Sequence, residues 1–171
     1  MTNLSAGQSA NQRKPAEMPQ ESGFVLKVSR RLKAPRALVF KMFADGAHLT
    51  RWFGPLGHTC VECTVEPKVG GRFYAALTGP DGTLRRVAGA FTEVVPDQRL
   101  AFTWAWLDEA GEPREPDLKT VVTITFEEKG DETELTLRHD GFPNAERAGM
   151  HDKGWESSFE CLAQYLAERT A

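Results

Sequence analysis

The sequence predicts an α+β domain in which a curved antiparallel sheet of six to seven strands wraps around a long C-terminal helix. From Phe24 onward, apolar residues recur at every second position in segments of strand length. After residue 144 their spacing changes to three or four positions, which is typical of a helix. The turns between neighbouring strands are too short for a parallel return, which needs about a dozen residues. We therefore expect an antiparallel meander covered by one long helix.

Composition limits the classes of protein to which this chain can belong. The chain has 171 residues, 40% of them hydrophobic, and a formal net charge of −3. This is typical of one folded domain that needs no metal or disulfide for stability. Lys and Arg are not clustered and no apolar stretch is long enough to span a bilayer, so we expect neither a nucleic-acid nor a membrane partner. The odd count of three cysteines predicts a reducing, cytoplasmic location, and no cofactor is predicted.

The chain is expected to consist of a tail and one domain. Residues 1–23 are rich in Ser, Gln, Asn, Ala and Pro and contain no aromatic residue, which predicts a disordered tail. Residues 24–171 are expected to form the folded domain. Its first strand places Leu26, Val28 and Leu32 on one face.

Two short helices and the remaining strands follow. Pro35 is suited to the first position of the first helix, and Gly54-Pro55 ends the second. The apolar faces of these helices consist of Leu38, Val39, Met42, Phe43, Leu49, Trp52 and Phe53. Strands are predicted near residues 59–66, 71–78, 84–95, 99–107, 119–128 and 132–140. Turns rich in Gly, Pro and Asp separate most of them.

The last segment predicts a long amphipathic helix that starts near Asn144. Apolar and aromatic residues recur there every three or four positions, which places them on one stripe. The stripe consists of Ala148, His151, Trp155, Phe159, Leu162 and Leu166. Charged residues occupy the opposite side, so we expect the aromatic stripe to pack against the sheet.

Five short motifs occur in a characteristic order between about residue 24 and about residue 168. They are Ala34-Pro35 with Val39-Phe40, Leu49-Thr50-Arg51-Trp52-Phe53-Gly54-Pro55, Val69-Gly70-Gly71-Arg72-Phe73, Arg99-Leu100-Ala101-Phe102-Thr103-Trp104, and His151 with Gly154-Trp155. With these motifs the chain resembles the START-like superfamily, which has the helix-grip fold. Within it the chain is similar to the SRPBCC branch related to the activator of Hsp90 ATPase. The resemblance implies a cavity between the sheet and the last helix that holds an apolar molecule.

Aromatic residues are the main candidates for the wall of that cavity. Phe102, Trp104 and Trp106 share one strand face, and Trp155 and Phe159 lie on the facing helix stripe. Large rings at this seam can either fill it as core or line a pocket around an apolar guest. The candidate ligand-binding residues are Trp52, Phe73, Phe91, Phe102, Trp104, Trp106, His139, His151, Trp155 and Phe159.

Two of these residues are also candidates for acid–base chemistry. His139 lies on an apolar strand face, and His151 precedes Trp155 by one helical turn. An imidazole titrates near neutral pH, so either can act as a general acid or base. No Ser, Cys or carboxylate stands at a spacing that completes a catalytic set, which favours hydrogen-bonded histidines at the rim of the core. His48 and His58 are expected to be exposed.

Two cysteines and two arginines are further candidates, as ligands for a metal or an anion respectively. Cys60 and Cys63 have the Cys-x-x-Cys spacing of zinc sites. Within a strand, residues three apart point to opposite faces, so we expect one thiol inward, one outward and no metal site. Arg30 and Arg72 are expected to direct a guanidinium toward the cavity mouth, where it can hold a carboxylate or phenolate.

These observations leave three functions open. The leading hypothesis is an intracellular module that binds a small apolar or amphipathic molecule. The first alternative is an enzyme of the cyclase or hydrolase kind that uses a cavity histidine. The second, implied by the resemblance, is activation of a chaperone ATPase. The eukaryotic namesake contacts its chaperone through an additional N-terminal domain, where this chain has only the predicted tail. Self-association as a homodimer is also compatible with the sequence.

Overall fold

The computed structural model describes residues 23–170, so the predicted disordered tail lies outside the described residues except for Gly23. In chain order the elements are β1 (Phe24–Leu32), α1 (Arg36–Ala44), α2 (Gly46–Trp52), β2 (Thr59–Val65), β3 (Arg72–Thr78), β4 (Leu84–Val95), β5 (Arg99–Trp106), β6 (Thr120–Lys129), β7 (Glu132–Phe142) and α3 (Ala145–Thr170). The strands form one curved antiparallel sheet in the order β1-β7-β6-β5-β4-β3-β2. This is the predicted helix-grip arrangement.

The long helix α3 lies along the sheet as its apolar stripe predicts. It starts at Ala145, and the side chain of Asn144 accepts a hydrogen bond of 2.8 Å from the backbone N–H of Arg147. That bond satisfies one of the N–H groups left unpaired at a helix start. The buried residues of the helix are Ala148, Trp155, Ser158, Phe159, Leu162, Tyr165 and Leu166. His151 is only half-buried, because it lies at the end of the seam that remains open.

The two short helices have the expected order but different caps. Pro35 precedes α1 as its N-cap instead of occupying the first helical position. Its backbone is extended, with ψ at 152°, and its carbonyl accepts hydrogen bonds from the N–H groups of Leu38 and Val39. Asp45 separates the helices, and its side chain accepts a 2.9 Å bond from the N–H of Ala47. The Asp45 side chain thereby satisfies one of the N–H groups left unpaired at the start of α2.

A bulge in β2 corrects the expectation for the two cysteines. Cys60 pairs with Leu77 and Glu62 with Ala76, so one extra residue stands between the paired positions. Both thiols therefore lie toward the core. The Cys63 sulfur is 3.0 Å from Thr50 Oγ1, and burial raises the pKa of Cys60 to about 11. A thiol that stays protonated is a poor metal ligand, and among residues 23–170 no three His, Cys, Asp or Glu side chains are grouped as a metal site.

Candidate functional site

A cavity of about 280 Å³ opens at one end of the seam between α3 and the sheet. It is bounded by the first half of α3, the loop after α2, and the neighbouring ends of β3, β4 and β5. Its apolar lining consists of Phe53, Gly54, Pro55, Leu77, Trp104, Trp106, Met150, Gly154 and Trp155. Polar side chains that border the cavity are His58, Arg85, Arg114, Arg147, His151 and Ser158. The arrangement is an apolar cleft with cationic groups along its border.

The structure brings four of the ten candidate residues to this cavity. They are Trp104, Trp106, His151 and Trp155. The other six lie in the core and outside the cavity wall: Trp52, Phe73, Phe91, Phe102, His139 and Phe159. The predicted seam is therefore filled along most of its length and open only where the first half of α3 faces the ends of the strands.

Ring contacts explain why the remaining candidates do not reach the cavity. Phe73 stacks on Phe102 with the ring centroids 4.3 Å apart, and both rings are buried in the core beside the cavity wall. Trp52 donates its indole N–H to the carbonyl of Met42 at 3.1 Å and packs edge-on against Phe43. Buried rings that pack against other rings in this way fill the volume between the elements, which is the role of core residues.

A buried histidine holds one wall of the cavity in place. The indole N–H of Trp155 donates to Nδ1 of His139 at 3.1 Å. Because Nδ1 accepts, the neutral ring carries its hydrogen on Nε2. His139 is fully buried, and burial, with the nearby His151, keeps its pKa well below the usual value. This histidine is thus a neutral acceptor that orients a tryptophan.

The second histidine orients a second tryptophan. Nε2 of His151 accepts from the indole N–H of Trp106 at 3.0 Å. Its Nδ1 lies 2.9 Å from the carbonyl oxygen of Arg147, which can only accept. His151 is therefore the Nδ1–H tautomer with both nitrogens engaged. Burial lowers its pKa, so the neutral form that makes both hydrogen bonds is favoured.

These two histidines predict a loss of stability in mild acid. The unfolded chain takes up protons on both as the pH falls below about 6.5, whereas the folded chain resists protonation because both pKa values are lowered. The free energy of unfolding should therefore decrease as the pH falls from 7.5 to 5.5. The expected slope is at most about 1.4 kcal/mol per pH unit for each histidine. Urea unfolding at several pH values measures it.

A His151→Gln variant provides the comparison for this measurement. It removes one of the two titrating groups, so its free energy of unfolding should depend less steeply on pH than that of the wild type. A wild-type free energy of unfolding that stays constant or increases toward pH 5.5 would contradict the interpretation.

Three arginines at the cavity were not among the sequence candidates. Arg85 is paired opposite Leu77 and lies on the same strand face as buried Val87. The alternation of strand residues between the two faces was therefore sufficient to predict that its side chain lies on the inner face. Arg147 precedes His151 by four residues and continues the α3 stripe by one turn. Arg114 lies in the long loop after β5, where no periodic pattern marks it.

The arginines proposed from the sequence lie elsewhere. Arg30 reaches away from the cavity to Glu160 on α3, at 2.6 Å. Arg72 is exposed and its guanidinium lies over the ring of Tyr74, 4.9 Å from the ring centroid. Both expectations about the cavity mouth were wrong, because parity indicates a strand face and not a position along the seam.

Two histidines expected to be exposed are half-buried. Nδ1 of His48 lies 2.9 Å from the hydroxyl of Tyr165, which joins α2 to the C-terminal part of α3. His58 borders the cavity from the loop after α2. A position in a loop or at a helix end did not predict burial here, because other elements cover both side chains: α3 at His48 and the turn at Gly79 beside His58.

Comparisons with known proteins agree with this architecture. The family described as "Activator of Hsp90 ATPase homolog 1-like protein", AHSA1, matches residues 33–167, a range that includes every residue of the cavity lining. The chain belongs to the AHSA1 family. Among curated proteins, none matches the chain. No helix within residues 23–170 of this family member has the length and apolarity needed to cross a membrane.

Solved structures show the same fold over nearly the whole described chain. The AHSA1 protein from Silicibacter pomeroyi is 27% identical, with a TM-score of 0.77 over 85% of this chain and 99% of that one. A protein from Arthrobacter aurescens is 25% identical, with a TM-score of 0.75 over 85% and 87% of the two chains. CalU16 from Micromonospora echinospora, at 22% identity and a TM-score of 0.62 over 85% and 78%, shares the fold.

Proposed function

We propose that this AHSA1-family protein binds a small apolar or amphipathic molecule in the cavity beside α3. The observation that carries the proposal is the cavity itself, which measures about 280 Å³ and is bordered by three tryptophans. This volume is close to the lower end of the roughly 300–1,000 Å³ typical of ligand pockets. A tryptophan ring contributes a large, rigid contact area, which suits an apolar guest.

The hydrogen bonds of the tryptophans support the proposal. His139 holds the indole of Trp155 and His151 holds that of Trp106. The third ring, Trp104, packs against both, with centroid distances of 5.2 Å to Trp155 and 5.5 Å to Trp106. Walls that are already fixed lose little conformational entropy when a ligand binds. The histidines thus serve binding by preorganising the rings.

The same contacts weigh against the enzymatic alternative. A general acid or base must bring a ring nitrogen within hydrogen-bond reach of the substrate. Both nitrogens of His151 are already engaged, and His139 lies outside the cavity wall. Ser158, the hydroxyl on the wall, donates to the carbonyl of Gly154 at 2.8 Å. Neither of the two candidate histidines is therefore free to act as a base toward a substrate in the cavity.

The remaining sequence expectations stay predictions. The family description refers to activation of a chaperone ATPase, and co-purification with an Hsp90-type chaperone tests this role for the present chain. A homodimer is tested by the mass in solution. We also propose a cytoplasmic location, which the odd count of three cysteines favours.

Filling the cavity from its wall tests the binding function. Gly154 lies on α3 at the cavity, and a Cβ placed there meets nothing closer than Pro55 Cγ at 3.9 Å. A leucine at this position is therefore tolerated by the backbone and occupies the space of the ligand. We expect Gly154→Leu to weaken binding of any apolar ligand by about 100-fold or more, since the ligand and the side chain exclude each other.

The measurement uses a panel of small apolar and amphipathic molecules, including naphthalene-2-methanol, and follows tryptophan fluorescence and the melting temperature. A bound ligand raises the melting temperature of the wild type. Gly149→Leu is the matched control, because Gly149 is an exposed residue of the same helix with no atom within 4 Å of an added Cβ. It should bind like the wild type. A wild type that binds no member of the panel, or binding that survives Gly154→Leu, would contradict the proposal.

A further inference from the structure

We infer that the ligand of this cavity carries a negative charge at one end, and that Arg85 and Arg114 at the cavity border bind that charge. The inference rests on the proposed function and narrows it to one chemical class, an amphipathic organic anion such as a carboxylate with an apolar body. The grounds are the positions of the arginines, the absence of compensating acids in the cavity lining, and the chemistry of the guanidinium group.

The backbone places the two arginines on either side of one tryptophan. Arg85 is two residues before Val87, which pairs with Trp106 across β4 and β5. The backbone N–H of Arg114 donates to the carbonyl of Trp106 at 2.8 Å. Both side chains border the cavity that Trp106 also lines. A charged group bound between them would lie against the edge of the apolar wall.

The cavity is positively charged although the protein is not. Three arginines and no Asp or Glu are among its lining residues, whereas the whole chain has a formal net charge of −3. Arg147 is compensated by Glu115, whose carboxylate it binds with two nitrogens, one of them at 3.1 Å. Arg85 and Arg114 form no salt bridge with any residue of the described range 23–170.

Acidic groups near these arginines act from outside the cavity. Asp81 lies in the turn before β4, and Glu115 lies in the loop after β5. Hydrogen bonds are the main cause of the lowered pKa of each carboxyl. The charge of Arg85 lowers the pKa of Asp81 further, and the charge of Arg114 does the same for Glu115. Arg114 directs its Nε to the carbonyl of Leu107 at 3.2 Å. That bond positions the guanidinium and leaves its two terminal nitrogens for another acceptor.

The chemistry of arginine decides the class of ligand. A planar guanidinium donates two parallel hydrogen bonds to a carboxylate or phosphate, and such charge-assisted bonds are among the strongest in proteins. An uncharged apolar ligand leaves these donors to water and gains nothing from them. A ligand with an apolar body against the tryptophans and an anionic end at the border uses both parts of the cavity.

Two probes with the same aromatic body, one anionic and one neutral, test this inference. Naphthalene-2-carboxylate and neutral naphthalene-2-methanol have the same aromatic body and nearly the same size. We expect the carboxylate to bind about tenfold more tightly, and Arg85→Gln and Arg114→Gln each to weaken it by about fivefold or more without affecting the alcohol. Arg72→Gln removes the same charge from an exposed position outside the cavity and should leave both affinities unchanged. Raising the salt concentration should weaken binding of the carboxylate only.

The outcomes separate this inference from the proposed function. Equal affinity for the two probes, with no effect of Arg85→Gln or Arg114→Gln, overturns the anionic ligand and leaves a binding cavity for neutral molecules. A loss of carboxylate binding that is equally large in Arg72→Gln also overturns it, because the effect then follows net charge and not the site. If neither probe binds and no member of the apolar panel binds, the proposed function fails together with the inference.

Discussion

Replacing Trp155 by alanine is expected to lower the free energy of unfolding by about 3–5 kcal/mol, the usual cost of truncating a large buried ring. The side chain is only 4% exposed and lies between the rings of Phe53 and Trp104. Its removal leaves a void in the seam and also takes away the donor that pairs with His139. Urea unfolding at pH 7.5 without ligand measures the difference.

A second variant removes the hydrogen bond while keeping part of the ring packing. Trp155→Phe keeps an aromatic ring but leaves Nδ1 of His139 without its donor, which should cost about 1–3 kcal/mol. Glu156→Ala changes the neighbouring exposed residue of the same helix and should alter stability by less than about 0.5 kcal/mol. If Trp155→Ala were no less stable than Glu156→Ala, packing of the Trp155 ring would not stabilise the contact between α3 and the sheet.

Replacing Gly89 by alanine is expected to prevent folding or to cost about 4 kcal/mol or more, because the added atom has no room. A Cβ at this position would lie 1.7 Å from the carbonyl oxygen of Thr103 in the neighbouring strand. The next N–H, that of Ala90, donates to the side chain of Thr103 at 2.9 Å, so the regular ladder between β4 and β5 is interrupted here. Backbone atoms cannot move aside without separating the two strands that border the cavity.

Gly149→Ala is the control for this substitution. Gly149 is exposed on α3, and an added Cβ meets nothing within 4 Å, so alanine should stabilise the helix by about 0.5–1 kcal/mol. Yield of folded protein and the midpoint of urea unfolding distinguish the two variants. A folded Gly89→Ala protein with the midpoint of the wild type would contradict the close approach of the strands.

Local patterns were sufficient to predict the elements of this fold. The period of two identified every strand, and most strand ends lie within two residues of the predicted ones. The spacing of three and four identified α3 and its buried face. These patterns are reliable because each strand or helix must bury one face, and burial acts on neighbouring residues of the same segment. Bulges are the exceptions, as between Cys60 and Glu62 and between Phe91 and Glu93, since an inserted residue reverses the parity that follows it.

The candidate site was predicted less completely than the fold. Trp104, Trp106, His151 and Trp155 meet at the cavity, whereas Phe73 and Phe102 belong to the same face but fill the seam. Both groups have the same residue types and the same periodicity. What separates them is which side chains of other elements cover each ring in the folded chain, as Phe53 of the loop after α2 covers Phe73.

The amino-acid sequence alone specified an antiparallel sheet, its strand segments, the covering helix and an aromatic seam between them, because each follows from the burial of one face of a local segment. Tertiary structure alone decided where that seam stays open and which charged groups border the opening. Arg85, Arg114 and Arg147 come from a strand, a loop and a helix far apart in the chain. No local period relates such residues, and only the folded packing of three elements brings their guanidinium groups to one cavity.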